Sequence, residues 1–108
     1  MNRRSSPGIE VISSYEVRAV CRQDVEERLR TLMISTVRSA AMSLIAVYSE
    51  DIESTSRVEV IADVTVSGRA DAKLEKIVTK IGIEPGVFAV SWKIVPTTDE
   101  ERELLPEA

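Results

Sequence analysis

One stretch constrains this chain more than any other: Arg57 to Ser67, where Val58, Val60, Ala62, Val64 and Val66 alternate with Glu59, Ile61, Asp63 and Thr65. Successive side chains of a strand point to opposite faces, so this period of two predicts a strand with one side in a core. Gly68 ends it. Other segments repeat the pattern. Tyr15, Val17, Ala19 and Cys21 alternate with Glu16, Arg18 and Val20 and predict a first strand. Met42 to Ser49 is β-rich, its alternation blurred by Ile45 and Val47, and polar Glu50 to Ser56 follows as a turn. Pro85-Gly86 turns into a last strand, Val87 to Val95, with Phe88, Val90, Trp92 and Ile94 on its core face opposite Ala89, Ser91 and Lys93. Pro96 stops it.

Two segments carry a helical period instead. Asp24 followed by Glu27 reads as a capping box, and Val25, Leu29, Leu32, Met33 and Val37 then form one apolar stripe. The second helix begins near Ala70, with Asp71 at the positive end of its dipole. Leu74, Ile77, Val78 and Ile81 form its stripe, and Gly82 is placed to close it as a left-handed cap. The order strand–helix–strand occurs twice, and right-handed crossovers put both helices on one sheet face. The expected fold is an α+β ferredoxin-like βαββαβ sandwich with an antiparallel sheet in the order 4-1-3-2. Its other face stays open, occupied by Val20, Ile61, Thr65 and Ala89 among Glu16, Arg18, Glu59, Asp63 and Lys93.

At 108 residues the chain has room for a single domain. The net charge of −4 sits wholly in the segment from Thr97 onward, where Asp99, Glu100, Glu101, Glu103 and Glu107 face only Arg102. The body is therefore balanced, without the basic excess that drives nucleic-acid binding. A short charged tail over residues 97–108 is expected to be solvated. Histidine is absent and Cys21 is the single cysteine, so an internal disulfide is impossible and a reducing compartment is the simple reading. No run approaches the roughly 20 apolar residues of a membrane span, and residues 1–14 read as a flexible linker around Pro7-Gly8. The chain as it stands is expected to be soluble.

Fold alone does not decide function. An RNA-recognition module would need stacking aromatics on the third strand, which has none. A copper carrier would need paired thiols, and an acylphosphatase-like enzyme a glycine-rich anion loop where Cys21-Arg22-Gln23-Asp24 stands. One family fits. Tyr15 to Arg22 resembles the opening of the cytoplasmic domain of the MgtC/SapB family. Tyr48-Ser49-Glu50-Asp51-Ile52-Glu53 running into Arg57-Val58-Glu59-Val60 is similar to its middle hairpin, and Glu84 to Lys93 to its ending. The resemblance spans residues 15 to 95 and implies an ACT-like domain, residues 15–96, behind a membrane domain not included here. It further implies a place on the cytoplasmic side of the bacterial cell membrane, reached only through that domain. Growth in low magnesium, survival inside macrophages and regulation of membrane partners such as the ATP synthase come with the family. The implied partners are other membrane or cytoplasmic proteins, or a second copy of the chain, and no nucleic acid or cofactor is implied.

The chain departs from amino-acid-binding ACT domains, which place a glycine where the first strand meets the first helix; Arg22-Gln23-Asp24 offers no such close approach. A sensor of an amino acid or magnesium remains the alternative. Glu50, Asp51 and Glu53 suggest magnesium, but adjacent carboxylates on extended chain point apart and magnesium demands octahedral geometry, so a solvated acidic turn is the expectation. Cys21 reads as a buried apolar residue without a resolving thiol. Arg3 and Arg4 fit equally a juxtamembrane position, at about 1 kcal/mol each, and an ordinary linker. No nucleophile–base pair can be assembled, so no enzyme is expected. Candidate partner contacts are Trp92, Val20, Ile61 and Ala89, with Trp92 expected mainly to pack against a helix.

Overall fold

The computed structural model describes residues 11–96. Four strands, β1 (Ile12–Arg22), β2 (Ser43–Asp51), β3 (Arg57–Ser67) and β4 (Val87–Val95), form one antiparallel sheet in the order β2-β3-β1-β4. Helices α1 (Glu26–Ser39) and α2 (Asp71–Gly82) cover one face, α1 over β2 and β3, α2 over β4. This is the ferredoxin-like arrangement expected, read from either edge of the sheet. The expected acidic tail and the first ten residues of the expected linker lie outside the described residues, and Ile12 to Ser14 already belong to β1.

The core forms where the two periods meet. Tyr15, Val17, Ala19 and Cys21 of β1 and Val60, Ala62 and Val64 of β3 face Leu29, Met33 and Val37 of α1 and Leu74, Ile77 and Ile81 of α2, all buried. Fully burying an aliphatic side chain of this size stabilises by about 1.5–3 kcal/mol. Tyr15 ties the layers together. Its hydroxyl donates to Asp71 Oδ1 at 2.7 Å and accepts from the Ala70 N–H at 2.9 Å, fixing where α2 starts. Trp92 packs its ring against Tyr15 edge-on, centroids 5.6 Å apart.

Four local expectations are corrected. Asp24 does not cap α1: its carboxylate accepts from Arg22 Nε at 2.9 Å, a 3-10 turn over Gln23–Val25 precedes the helix, and Val25 at the N-cap provides no side-chain bond. A charge-assisted bond to a residue two positions back competes with the cap and wins. Gly82 is helical and not left-handed; Ile83 ends α2 at φ −87°, and in the connection from α2 to β4 it is Gly86 that is left-handed, at φ +87°. Phe88 leaves the core face, because a bulge pairs Cys21 with Val87 and Val20 with Ala89 and skips it. Ile45 is likewise the residue skipped between Leu44 and Ala46, which explains the blurred alternation there, and β2 runs on through Glu50 and Asp51, expected in the turn, because they pair with Glu59 and Val58.

Two predictions follow from the packing. Tyr15→Phe strands the Ala70 N–H and should cost about 1–3 kcal/mol in urea unfolding; an unchanged midpoint would show that the hydroxyl does not anchor α2. The two glycines should respond with opposite signs. A Cβ on Gly86 would meet both Val25 methyls at 3.1 Å in a left-handed conformation, so Gly86→Ala should destabilise by at least about 1 kcal/mol. A Cβ on Gly82 meets only Val90 Cγ2 at 3.9 Å, so Gly82→Ala should be neutral or stabilising by up to about 1 kcal/mol.

Candidate interaction face

The face of the sheet turned away from the helices is built by cross-strand rows. Tyr48, Ile61, Arg18 and Ser91 form the central row; Glu50, Glu59, Val20 and Ala89 lie on one side of it, and Ala46, Asp63, Glu16 and Lys93 on the other. Register alone sets acid against acid at Glu16–Asp63 and Glu50–Glu59, and base against base at Arg22–Arg57. Like charges directly opposite one another destabilise a sheet. Arg18 resolves most of this. Its Nε donates to Glu16 Oε1 at 2.7 Å and its Nη1 to Glu59 Oε1 at 2.8 Å, while Lys93 Nζ lies 3.6 Å from Glu16. The hydrogen bond from Arg18 holds the Glu16 carboxyl below the usual range against the opposing effect of desolvation, and Glu16 in turn raises the Arg18 guanidinium. The pair Arg22–Arg57 is drawn apart: Arg22 turns to Asp24, and the Arg57 guanidinium stacks 3.9 Å from the Phe88 ring centroid.

The four candidate contacts divide. Val20 is half-buried beside exposed Ala89, and Ile61 lies between Arg18 and Tyr48, so these three share the open face. Ile61 is nonetheless 0% exposed and presents none of its own surface. Trp92 is on the helix side, where its Nε1 donates to Glu75 Oε2 at 2.7 Å. Sequence reasoning missed Tyr48, 39% exposed, and the Arg57–Phe88 pair, with Phe88 49% exposed. Only the strand bulge exposes Phe88, and nothing local in the sequence marks it.

The other candidates have plain geometries. Glu50 and Asp51 pair with neighbouring β3 residues Glu59 and Val58 and so point to opposite sheet faces. Cys21 is fully buried, and burial pushes its thiol up, with Glu26 and Asp24 adding to the effect. At the β1–α1 junction a shallow recess of about 390 Å³ is lined by Arg22, Gln23, Asp24 and Ser56. Two of its backbone donors are engaged: Arg22 N–H donates to Gly86 O at 2.8 Å and Gln23 N–H to Ser56 O at 3.1 Å. Among the described residues no helix is long and apolar enough to cross a membrane.

Comparisons with known proteins agree with this geometry. The ACT domain of a GTP pyrophosphokinase from Chlorobium tepidum superposes with a TM-score of 0.53 at 11% identity, over 78% of this chain and 99% of that domain, a likeness of fold alone. The C-terminal domain of the MgtC protein from Mycobacterium tuberculosis superposes with a TM-score of 0.71 at 26% identity, over 78% of this chain and 88% of that one. Protein MgtC of Brucella abortus is 32% identical over 81 residues, 75% of this chain, which spans about a third (34%) of that relative's length. The family described as the MGTC/SAPB C-terminal domain matches residues 15–92. By its fold, its sequence and its match over most of its length, this chain belongs to the MgtC/SapB C-terminal domain family.

Proposed function

We propose that this domain is a non-catalytic interaction module of an MgtC-like protein and that it engages a protein partner through the open sheet face. The observation that carries this reading is that among the described residues no helix lies over the Tyr48–Ile61–Arg18 row, while Tyr48 within it and the Arg57–Phe88 pair beside it stand exposed. Tyrosine and arginine are enriched among residues that dominate binding energy at interfaces. The ion pairs of Arg18 hold the centre of the face in one arrangement, so less side-chain freedom is lost on association. The closed backbone donors at Arg22 and Gln23 argue against a small-molecule sensor at the β1–α1 junction.

The finer parts of the reading rest on the family resemblance: a position on the cytoplasmic side of the bacterial membrane behind a membrane domain, and service in magnesium limitation and intramacrophage survival. Its partners are then other membrane or cytoplasmic proteins, the ATP synthase among the candidates, with self-association through the same face as the alternative.

Three measurements test the proposal. A photo-crosslinker at Tyr48 or Ala89 of the full-length protein, in the bacterium that makes it, should form adducts with a protein. The same group at Thr31 or Ser35 on α1 should not. Adducts from α1 alone would move the interface to the helices. In a thermal-shift screen, a ligand at 100 times its dissociation constant adds about 2.7 kcal/mol of stability. Amino acids and magnesium should give no rise in Tm, and a clear rise with any of them would restore the sensor. The charge network should also register in pH. Because the Glu16 carboxyl is depressed in the folded state, its contribution is present above the usual carboxylate range and is lost as pH falls through the folded value. Glu16→Gln should therefore flatten the loss of stability below about pH 4.3. At neutral pH Arg18→Ala should cost about 1 kcal/mol. Identical acid profiles for native and Glu16→Gln chains would remove Glu16 from the account.

A further inference from the structure

The helix side carries a feature that the open face does not explain. Between the C-terminal end of α1 and α2 lies a groove of about 440 Å³ whose floor includes Ile77, Ala41 and Thr36 and whose wall is Lys73, Lys76 and Lys80. Among the described residues no carboxylate lines it. The three lysines recur at steps of three and four along α2, so they are helical neighbours of one sign. Lys73 reaches across to the Ala40 carbonyl at 3.0 Å; Lys76 and Lys80 make no ion pair among the described residues. Thr36, 6% exposed, keeps a hydroxyl without a hydrogen-bond partner among the described residues. The groove is thus positively charged at its wall and largely apolar on its floor.

The complement is in the same chain. Beyond Pro96 the sequence runs Thr-Thr-Asp-Glu-Glu-Arg-Glu-Leu-Leu-Pro-Glu-Ala, with all of the chain's net charge of −4 and two adjacent leucines, Leu104 and Leu105. Topology brings its starting point to the groove. Val95 lies in one cross-strand row with Ser14, Thr65 and Ser43, and Ser43 follows directly on the end of α1. The end of β4, the end of α1 and the start of α2 therefore share one end of the domain. Three strand spacings separate Val95 from Ser43, about 14 Å. Leu104 lies eight residues past Pro96, a reach of up to about 28 Å.

We propose that the acidic segment Asp99–Glu107 docks in cis into this groove, with its carboxylates on Lys73, Lys76 and Lys80 and Leu104-Leu105 over Ile77 and Ala41. Tethering supplies the effective concentration, in the millimolar range for short linkers, that so small a contact needs.

The test uses the whole 108-residue chain with a nitroxide on Ala108→Cys, the buried Cys21 being inaccessible to the label. The label should broaden the amides of Ala41, Ile77 and Lys80. Broadening should be lost with Glu100→Lys, Glu101→Lys and Glu103→Lys together, and lost with Lys76→Glu and Lys80→Glu. It should return when both sets are combined, a rescue that a merely structural role of the lysines would not give. If the groove reversal unfolds α2, Lys76→Ala with Lys80→Ala serves in its place and should weaken the effect. Raising salt from about 0.1 M to 1 M shortens the screening length from about 10 Å to 3 Å and should do the same. No broadening in the native chain overturns the proposal. Broadening between labelled and unlabelled copies, rising with protein concentration, overturns docking in cis and makes a second copy the occupant.

Discussion

The architecture depends on the pairing of β1 with β3. Eleven residues of each run opposite one another from Ile12–Ser67 to Arg22–Arg57 without a shift in register. A slip of one residue would turn Val17, Ala19, Val60 and Ala62 out of the core together, so the apolar alternation of both strands fixes the register from both sides. Both outer ladders, by contrast, carry a bulge, at Ile45 in β2 and at Phe88 in β4. Irregularity is confined to the edges, where it bends the strand and blunts an otherwise open hydrogen-bonding rim.

That same register imposes an electrostatic problem on the open face. It sets Glu16 against Asp63, Glu50 against Glu59 and Arg22 against Arg57. The compensation is not strand by strand. Arg18 is shared between Glu16 on its own strand and Glu59 on the next, and Arg57 leaves the ladder for an aromatic ring that a bulge delivers. A face settled by so few groups is sensitive to any partner bringing charge of its own, which is a useful property in an interaction module and a poor one in a sealed structural layer. The helix side is organised differently: its hydrophobic stripes are consumed by the core, and the surface of α2 carries the lysine wall.

Much of the fold was legible before any coordinates. The bounds of β3 and β4, the inward residues of β1 and the stripes Leu29–Met33–Val37 and Leu74–Ile77–Ile81 follow from periods of two and of three to four, because burial on one side leaves that mark on sequence. The family resemblance likewise lay in contiguous segments. What misled was local competition. Asp24 has the identity and spacing of a cap but had a stronger partner in Arg22, and Gly82 stood at the right place for a left-handed cap but was taken into the helix. The open face was only partly legible: Val20, Ile61 and Ala89 fall on it by alternation, but alternation cannot say that Ile61 would be wholly buried there.

The sequence by itself determined the strand–helix order, the composition of the core, the family and the charge imbalance between body and C-terminal segment. These properties are additive along the chain or repeat with a local period. Only the tertiary structure decided that Phe88 would stand beside Arg57, that Tyr15 would hold the start of α2, and that three lysines would border one groove between the helices. Each of those depends on which residues from distant segments come into contact. That is settled by register, bulge and helix placement together, and no single segment encodes it.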